Sequence, residues 1–397
     1  MTRLALQPGA TLGVLGGGQL ARMWCHAAQS MGYRTVVLDP DVHSPAGVIS
    51  HVHLPTAYLD PQGLAQLASA CQAVTTEFEN VPAQALAQLQ TQVTVAPGPQ
   101  AVQVAQDRSL EKAHFVRCGV PVAPHLVLTH ADDVRQVPDH LLPGILKTTR
   151  LGYDGKGQVS VNTRTELSTA WAQLQNGHDD VVCILEKRLP LAGECSVVLA
   201  RGHDGNCVYL PVQLNQHRNG ILAVTEVFDD AIPADTAKHA IDAATLIARE
   251  LDYVGVLCVE FFMLQNGPDK DALGPLVVNE MAPRPHNSGH HSIDSCDLSQ
   301  FALQVRCMAG LPLSQPRLHS PCVMLNVLGD VWWLGGRNAQ APDWAAMLAL
   351  PGVHLHMYGK TEARPGRKMG HITITASSIT QARKVAAQVA AMLGWAA

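Results

Sequence analysis

Residues 11–21, with the sequence TLGVLGGGQLA, combine a short apolar run with three consecutive glycines and the start of a helical pattern. The apolar run predicts a buried strand over 11–15, and the next stretch predicts a helix over 19–31 that Gly32 ends. A second apolar run predicts another buried strand over 33–39. This strand–helix–strand order predicts a parallel, doubly wound α/β sheet at the start of the chain.

The glycines also suggest a ligand. Gly16, Gly18 and Ala21 fit the pattern G-x-G-x-x-A, and Asp39 stands at the end of the second predicted strand. A glycine-rich turn before a helix N-terminus favours a bound anion, so one hypothesis is a nicotinamide- or flavin-dependent oxidoreductase. The alternative is tight packing of strand against helix with no dinucleotide. The residues alone leave both open.

Composition narrows the class of protein. The chain has 397 residues, which predicts two or three domains, and a hydrophobic fraction of 47%, which excludes a disordered chain. A net charge of -5 gives no general field for nucleic acid, so any anion site must be local. The ten cysteines include no C-x-x-C pair and predict free thiols in a reducing compartment. Without an evident signal peptide or long apolar run, we expect a cytoplasmic protein with no membrane partner.

The pattern changes after residue 120. Strands predicted at 73–76 and 93–96, with a helix at 82–89 between them, complete the first unit, and a helix over 107–118 leads out of it. Beyond it the patterns predict a mixed, largely antiparallel arrangement followed by a small α+β tail from residue 323. The predicted elements there are strands at 144–148, 158–161, 181–187, 196–200, 208–214, 255–263 and 276–281, and helices at 234–251 and 298–310.

A second glycine-rich segment, GYDGKGQ, covers residues 152–158 and follows Lys147 on a predicted strand. Because a strand is predicted on each side, we expect the segment to be the tip of a hairpin. Backbone N–H groups and a lysine in a mobile loop suit a nucleotide polyphosphate, although the P-loop pattern is absent. The alternative is an exposed, flexible hairpin without a ligand.

Two carboxylates interrupt apolar strands: Glu260 in VEFF and Glu280 in VNEM. Burying an ionised carboxylate is costly unless it is paired or bound to a metal. If the two strands are neighbours, Glu260, Asn279 and Glu280 form an all-oxygen site that suits magnesium bridging ATP phosphates. The alternative is a structural Glu–Arg ion pair, for which Arg284 is one candidate partner.

Three further segments carry polar side chains suited to substrates. Residues 186–189 offer backbone groups for an adenine edge, and Glu194 offers an acceptor for ribose hydroxyls, unless this is an ordinary solvated turn. Residues 283–291, PRPHNSGHH, suit a small oxyanion. The densest basic cluster suits a phosphate ester, with a solvated basic hairpin as the alternative; it comprises Lys360, Arg364, Arg367 and Lys368 after Tyr358-Gly359.

Together these segments resemble the ATP-grasp superfamily and, within it, the 5-(carboxyamino)imidazole ribonucleotide synthase family, over residues 12–371. The segments that carry the resemblance are GGQL at 17–20, TEFENV at 76–81, GYDGKGQ at 152–158, NEMAPRPHNSGH at 279–290, and YGK at 358–360 with RPGRKMGH at 364–371. The resemblance implies an α/β protein with the ATP-grasp fold, an N-terminal parallel doubly wound pre-ATP-grasp domain and a small C-terminal α+β subdomain.

The resemblance also implies three domains. Residues 1–120 would form a Rossmann-like ribonucleotide-binding domain, and residues 121–195 a small central ATP-grasp subdomain with the glycine-rich loop. Residues 196–397 would form the C-terminal ATP-grasp subdomain with the metal site and the basic tail.

The implied activity is ATP-dependent carboxylation of aminoimidazole ribonucleotide by bicarbonate. ATP would phosphorylate bicarbonate to carboxyphosphate, and the exocyclic amine would attack carboxyphosphate, or CO2 released from it, to give a carbamate. The implied cofactors are ATP and Mg2+, with Mn2+ as an alternative ion, and the implied assembly is a homodimer.

The resemblance assigns roles to individual residues. Metal ligands would be Glu260 and Glu280. Ribonucleotide-binding residues would be Gln19, Leu20, Glu77, Lys360 and Arg367. Catalytic residues would be Asp154, as a base or hydrogen-bond partner for the amine, and Lys360, Arg284 and His286. ATP-binding residues would be Arg108, Lys147, Gly152, Tyr153, Asp154, Gly155, Lys156, Gly157, Gln158, Glu186, Lys187, Arg188, Leu189, Glu194, His217, Asn279 and Glu280.

The chain departs from the family pattern at four places. Leu151 replaces a glycine, which is expected to reduce loop mobility, and Leu214 replaces a glutamate, which leaves the hydrogen bonding of His217 open. Residues 291–292 replace Trp-Thr, and residues 187–188 are unusually basic. Two other functions remain open: a formate-dependent glycinamide ribonucleotide formyltransferase of the same superfamily, and the dinucleotide-dependent oxidoreductase.

Overall fold

The computed structural model describes residues 5–152, 157–177, 180–334 and 340–395. Within these ranges the strands form three sheets, and the helices pack on and between them. Tyr153, Asp154, Gly155 and Lys156 lie outside the described residues.

The N-terminal sheet is parallel, with strand order β3-β2-β1-β4-β5, and it confirms the predicted doubly wound α/β start of the chain. The first helix ends at Ser30, one residue before the predicted end. The elements are β1 Thr11–Leu15, α1 Gln19–Ser30, β2 Arg34–Leu38, β3 Val52–Leu54, α2 Pro61–Ala70, β4 Ala73–Thr76, α3 Ala83–Gln90 and β5 Thr94–Val95.

A small antiparallel sheet with strand order β6-β9-β7-β8 follows. Lys147 on β7 is paired with Gln158 on β8, so the glycine-rich segment connects a hairpin, as predicted. The elements are α4 Pro99–Ala105, α5 Arg108–Arg117, β6 His125–Leu128, α6 Ala131–Arg135, β7 Gly144–Thr148, β8 Gln158–Val161, α7 Arg164–Gln175 and β9 Cys183–Lys187.

The large antiparallel sheet has strand order β15-β14-β10-β12-β13-β16-β18-β17, with β11 beside β10. Its strands are β10 Leu191–Arg201, β11 Cys207–Tyr209, β12 Gln213–Arg218, β13 Ile221–Val227, β14 Gly255–Leu264, β15 Leu276–Ala282, β16 Cys322–Leu328, β17 Val353–Met357 and β18 Lys368–Thr375. Its helices are α8 Ala234–Glu250, α9 Pro268–Leu273, α10 Ser292–Ser295, α11 Gln300–Ala309, α12 Trp344–Leu348 and α13 Ile379–Met392.

The prediction of one strand over 208–214 is wrong. The structure divides this stretch into β11 and β12, and Pro211 lies between them. Proline has no N–H to donate to a neighbouring strand, so it interrupts the ladder there.

Helix α11 joins the N-terminal sheet to the large sheet. Its Phe301 and Val305 are buried in one cluster with Leu12 of β1 and Trp24 of α1. The other side of α11 contributes Leu303 to a cluster with the large sheet. This shared packing holds the ends of the two sheets next to each other, where the cavities described below lie.

Among the described residues, no helix is both long and apolar enough to cross a membrane. All ten cysteines are free thiols, as the spacing predicts.

Candidate active site

Two cavities adjoin where the three sheets meet. The first has a volume of about 700 Å3 and the second about 410 Å3. They share a wall formed by Glu79, Asn80, Arg284, His286 and Lys368. A group transferred between ligands in the two cavities would therefore pass these side chains.

The first cavity lies between the N-terminal sheet and the loop that connects β17 to β18. The structure brings together here every residue predicted to bind the ribonucleotide, of which Lys360 is also predicted to be catalytic, and two further residues predicted to be catalytic. They are Gln19, Leu20, Glu77, Lys360 and Arg367, with Arg284 and His286.

The glycine-rich turn at 16–18 is already occupied by carboxylates of this chain. The Gly17 N–H donates to Asp39 Oδ2 at 2.7 Å, and the Leu20 N–H donates to Glu77 Oε1 at 3.1 Å. A Cβ added at Gly18 would lie 2.3 Å from Glu77 Oε1, so the turn accommodates this carboxylate rather than a larger side chain. A dinucleotide pyrophosphate needs the same N–H groups. The oxidoreductase hypothesis is therefore wrong, because Asp39 and Glu77 fill its anion site.

Burial raises the pKa of Glu77, and the charge of Asp39 raises it further, although backbone N–H donors oppose the shift. Because Glu77 also lines the first cavity, it presents a carboxyl group to a ligand while its other contacts hold it in place.

The basic cluster lies in a hairpin loop between β17 and β18, and the loop forms one side of the first cavity. Lys360 Nζ donates to the Lys368 carbonyl at 2.8 Å, and Arg367 Nη1 donates to the Glu362 carbonyl at 2.8 Å. These bonds shape the loop, and its cationic side chains lie opposite Glu77 and the start of α1.

Glu260 and Glu280 stand directly opposite each other on the paired strands β14 and β15, as the sequence predicts for neighbouring strands. Glu260 is buried, and within the described part of the chain its Oε1 atom has no hydrogen-bond partner, although His286 Nε2 lies 3.4 Å away. Burial and the charge of Glu280 raise the pKa of Glu260 to about 7. A divalent cation would satisfy the unpartnered oxygen and offset the repulsion, so these carboxylates fit Mg2+.

The alternative of a structural Glu–Arg pair holds for Glu280, but its partner is Arg108 and not Arg284. Arg284 forms an ion pair with Glu79 of the N-terminal domain, because it follows the end of β15 and turns toward the shared wall. Arg108 instead lies 2.9 Å from Glu280 Oε2. Burial opposes ionisation of Glu280, but Arg108 outweighs it and lowers the pKa of this carboxyl. Glu79 has no role in the sequence-based assignment, although it lies in the segment TEFENV.

Many of the residues predicted to bind ATP line the second cavity. They are Arg108, Lys147, Gly152, Gln158, Glu194, His217, Asn279 and Glu280, with Glu260 beside them. Although Leu214 replaces the glutamate of the family pattern, His217 still has a carboxylate partner. Its Nδ1 atom lies 2.9 Å from Glu194 Oε2. Burial alone would lower the pKa of His217, but Glu194 and Glu260 outweigh it and raise it. Leu214 packs against the main hydrophobic cluster.

A buried charge network lies behind the second cavity. Glu186 accepts from Lys147 Nζ at 3.1 Å, and Lys112 Nζ lies 3.2 Å from its other oxygen. Lys112 also donates to the Asn279 carbonyl at 2.7 Å, next to Glu280. Burial would raise the pKa of Glu186, but the two lysines hold it well below its usual range. Lys112 is not among the residues predicted from the sequence. Its position four residues after Arg108, on the same helix face, is the sequence feature that places it beside the ATP-binding residues.

The other described residues that were predicted to bind ATP do not line the cavity. Lys187 pairs with Asp269 at 2.5 Å, Arg188 donates to Asn162 Oδ1 at 3.2 Å, and Leu189 is buried. Gly157 directly precedes β8, and Tyr153, Asp154, Gly155 and Lys156 lie outside the described residues.

Comparison with known proteins matches three family models along the chain. A ribonucleotide synthetase preATP-grasp domain matches residues 9–106, an ATP-grasp domain residues 113–301, and a phosphoribosylaminoimidazole carboxylase C-terminal domain residues 322–385.

Full-length relatives are also similar. N5-carboxyaminoimidazole ribonucleotide synthase from Brucella melitensis is 40% identical over 376 residues, which is 94% of this chain and 98% of that protein. A crystal structure of N5-carboxyaminoimidazole synthetase from Staphylococcus aureus complexed with ADP has a TM-score of 0.87 and 36% identity, with 99% of each chain covered. The Aspergillus clavatus synthase in complex with ADP and 5-aminoimidazole ribonucleotide has a TM-score of 0.84 at 28% identity, covering 98% of this chain and 99% of that one.

Proposed function

The chain belongs to the family of N5-carboxyaminoimidazole ribonucleotide synthases, and from this membership we propose how its two cavities divide the reaction. It is an ATP-dependent ligase of purine biosynthesis that carboxylates aminoimidazole ribonucleotide. The observation that carries the division is the shared wall of Glu79, Arg284 and His286 between one cavity lined by the basic loop and another lined by paired carboxylates.

We propose that ATP occupies the second cavity. Lys147 and Arg108 would contact its phosphates, and the end of β9 would contact the adenine through residues 186–189. Glu194 would lie beside the ribose, because its carboxylate can accept hydrogen bonds from ribose hydroxyls. Its contact with His217 supports this placement. The Gly152–Gln158 segment would cover the phosphates.

Glu260 and Glu280 would hold Mg2+, or Mn2+ in its place. Bound Mg2+ offsets phosphate charge during phosphoryl transfer. The support lies in the register of the two carboxylates and in the unpartnered Glu260 oxygen. Arg108 pairs with Glu280 and keeps it ionised, so the ligand is in its binding form near neutral pH.

Aminoimidazole ribonucleotide would occupy the first cavity. Lys360 and Arg367 would bind its phosphate, and Gln19, Leu20 and Glu77 would contact the ribose or base. Arginine and lysine suit a phosphate monoester because charge-assisted contacts are stronger than neutral hydrogen bonds.

Bicarbonate would be phosphorylated at the shared wall. Arg284 offers a fixed cation there, and burial holds the pKa of His286 well below its usual range, so its imidazole is neutral and adds no second positive charge to the wall. The amine of the ribonucleotide would attack carboxyphosphate, or CO2 released from it, from the first cavity. Asp154 is proposed to hydrogen-bond to the amine or accept its proton, and Lys360 to orient the ribonucleotide as a cationic donor.

The domain limits 1–120, 121–195 and 196–397 remain a proposal; β10 crosses the second limit, because this strand of the large sheet begins at Leu191. The resemblance also leads us to propose a cytoplasmic homodimer, which light scattering of the purified protein would test. The free cysteines support a reducing compartment.

A bicarbonate- and ribonucleotide-dependent assay of ADP release tests the assignment. Glu260→Gln should abolish ADP release at standard Mg2+ concentration. Glu226→Gln is the matched control, because Glu226 is equally buried at 7% exposure but pairs with Arg383 on another part of the large sheet. If Glu260→Gln and Glu226→Gln show the same rate and the same Mg2+ dependence, the metal assignment is wrong.

A further inference from the structure

A second cluster of metal-type ligands lies outside both cavities, between α10 and the β17–β18 hairpin. His354 and His356 are two residues apart on β17, so both side chains project from the same face of the strand. His371 on β18 stands directly opposite His356. Asp294 on α10 faces them, with its Oδ2 atom 2.8 Å from His356 Nε2 and its Oδ1 atom 3.7 Å from His354 Nδ1.

The ligand atoms of this cluster converge. One ligand atom each from Asp294, His356 and His371 lies within 4.8 Å of the others. These three residues supply two imidazole nitrogens and one carboxylate oxygen, and His354, with Nδ1 3.7 Å from Asp294 Oδ1, is the candidate fourth donor. Zn2+ binds such imidazole and carboxylate donors in tetrahedral geometry.

An unpartnered atom of His371 supports a bound ion independently. The side chain is fully buried, and Nε2 has no hydrogen-bond partner among the described residues. Nδ1 lies 3.0 Å from the Tyr358 hydroxyl oxygen. When Nδ1–H donates to Tyr358, Nε2 is an acceptor that has no donor. Leaving a buried polar atom unpaired in this way is costly. Metal-bound histidines commonly donate their second N–H to such an outer partner.

We propose that Asp294, His354, His356 and His371 form a Zn2+ site that fastens α10 to the β17–β18 hairpin. The site would be structural rather than catalytic, since it lies behind Tyr358 and not in either cavity. Because β17 leads directly into the loop with Lys360, zinc would also steady one side of the first cavity.

Zinc titration of the full-length protein tests the proposal. The protein is first treated with chelator, and Zn2+ is then added in competition with a chromophoric chelator. His356→Gln is the decisive variant, because the glutamine amide still donates to Asp294 while the imidazole is lost. His371→Asn is the second variant, since asparagine retains a partner for Tyr358. His319→Gln, at an exposed histidine elsewhere, is the control.

We expect the wild type to bind one equivalent of Zn2+. Both ligand variants should weaken binding by more than the roughly 10- to 100-fold that loss of an outer partner costs, and His319→Gln should leave it unchanged. Co2+ in place of Zn2+ should show the absorption of a tetrahedral site without a thiolate charge-transfer band. Absence of stoichiometric binding, binding that survives His356→Gln, or a thiolate band would overturn the proposal and leave the cluster as an Asp–His hydrogen-bond network.

Discussion

Replacing Glu186 with glutamine removes the buried negative charge that two lysines share. Glu186 is 3% exposed, and the Nζ atoms of Lys147 and Lys112 lie 3.1 and 3.2 Å from its two oxygens. Loss of one partner from a buried ion pair costs about 3–5 kcal/mol, because the other charge is left uncompensated. Here two ammonium groups are left, so we expect Glu186→Gln to lower the free energy of unfolding by an amount at the upper end of that range.

Lys112→Met provides the matched comparison. It leaves the Lys147–Glu186 ion pair, which has no net charge, intact and fills the space of the lysine with an apolar side chain. The loss in free energy of unfolding should therefore be clearly smaller than for Glu186→Gln. The double variant should recover part of the loss caused by Glu186→Gln, because only one ammonium group then remains. Urea unfolding of the four proteins measures these differences. A cost below about 1 kcal/mol for Glu186→Gln, or strict additivity in the double variant, would refute the reasoning.

The same variant should change how pH affects stability and ATP binding. The pKa of Glu186 is lower in the folded than in the unfolded protein, so its stabilisation is present above about pH 4.3 and declines as the pH falls below that value. Glu186→Gln should lack this acid-dependent loss.

Burial lowers the pKa of Lys147, and Glu186 counteracts the shift. Without Glu186 the pKa of Lys147 falls further, so the affinity for ATP should decrease more steeply with rising pH than in the wild type. Calorimetric titration of ATP at several pH values measures this. Identical pH profiles would show that Lys147 does not bind the phosphates.

Three further changes test separate parts of the site. Glu280→Gln should abolish ADP release in a folded protein, and turnover within a few-fold of wild type would contradict its role as a metal ligand. Arg367→Ala should weaken ribonucleotide binding by roughly ten- to a hundredfold with ATP affinity unchanged, as measured by calorimetry; equal losses for both ligands, or no loss for the ribonucleotide, would contradict the phosphate assignment. Leu151 has a left-handed φ of 59°, which costs about 1–2 kcal/mol for a side-chain-bearing residue, so Leu151→Gly should relieve it. Glycine opposes this gain, because it loses about 0.5–1 kcal/mol more chain entropy on folding. Thermal unfolding should therefore show a net change in the free energy of unfolding below about 1 kcal/mol. A larger loss of stability would contradict the strain at Leu151.

The segments that were predicted correctly are those whose pattern lies within a few neighbouring residues of the sequence. The apolar runs of the N-terminal strands predict a parallel sheet because a strand buried on both faces needs an unbroken apolar stretch. Glu260 and Glu280 could be predicted as neighbours because they interrupt strands that follow each other along the chain, with only α9 between them. The register of β14 and β15 confirms this.

Apart from the strand predicted over 208–214, the errors concern partners that are far apart in the sequence. The turn at residues 16–18 has the pattern of a dinucleotide site, but Glu77, 59 residues from Gly18, occupies its N–H groups. Arg284 pairs with Glu79, 205 residues away, rather than with the carboxylates of the adjacent strands. Nothing near either residue indicates such a pairing.

The sequence by itself therefore determined the strands and helices with strong local patterns and the types of side chain that the site uses. Only the tertiary structure decided which charged side chains pair with each other. Local periodicity depends on neighbours within a few residues, whereas a buried carboxylate pairs with whichever donor the packing of separate sheets places within about 3 Å. Helix α11 sets that packing here, because it is buried against β1 and α1 on one side and the large sheet on the other.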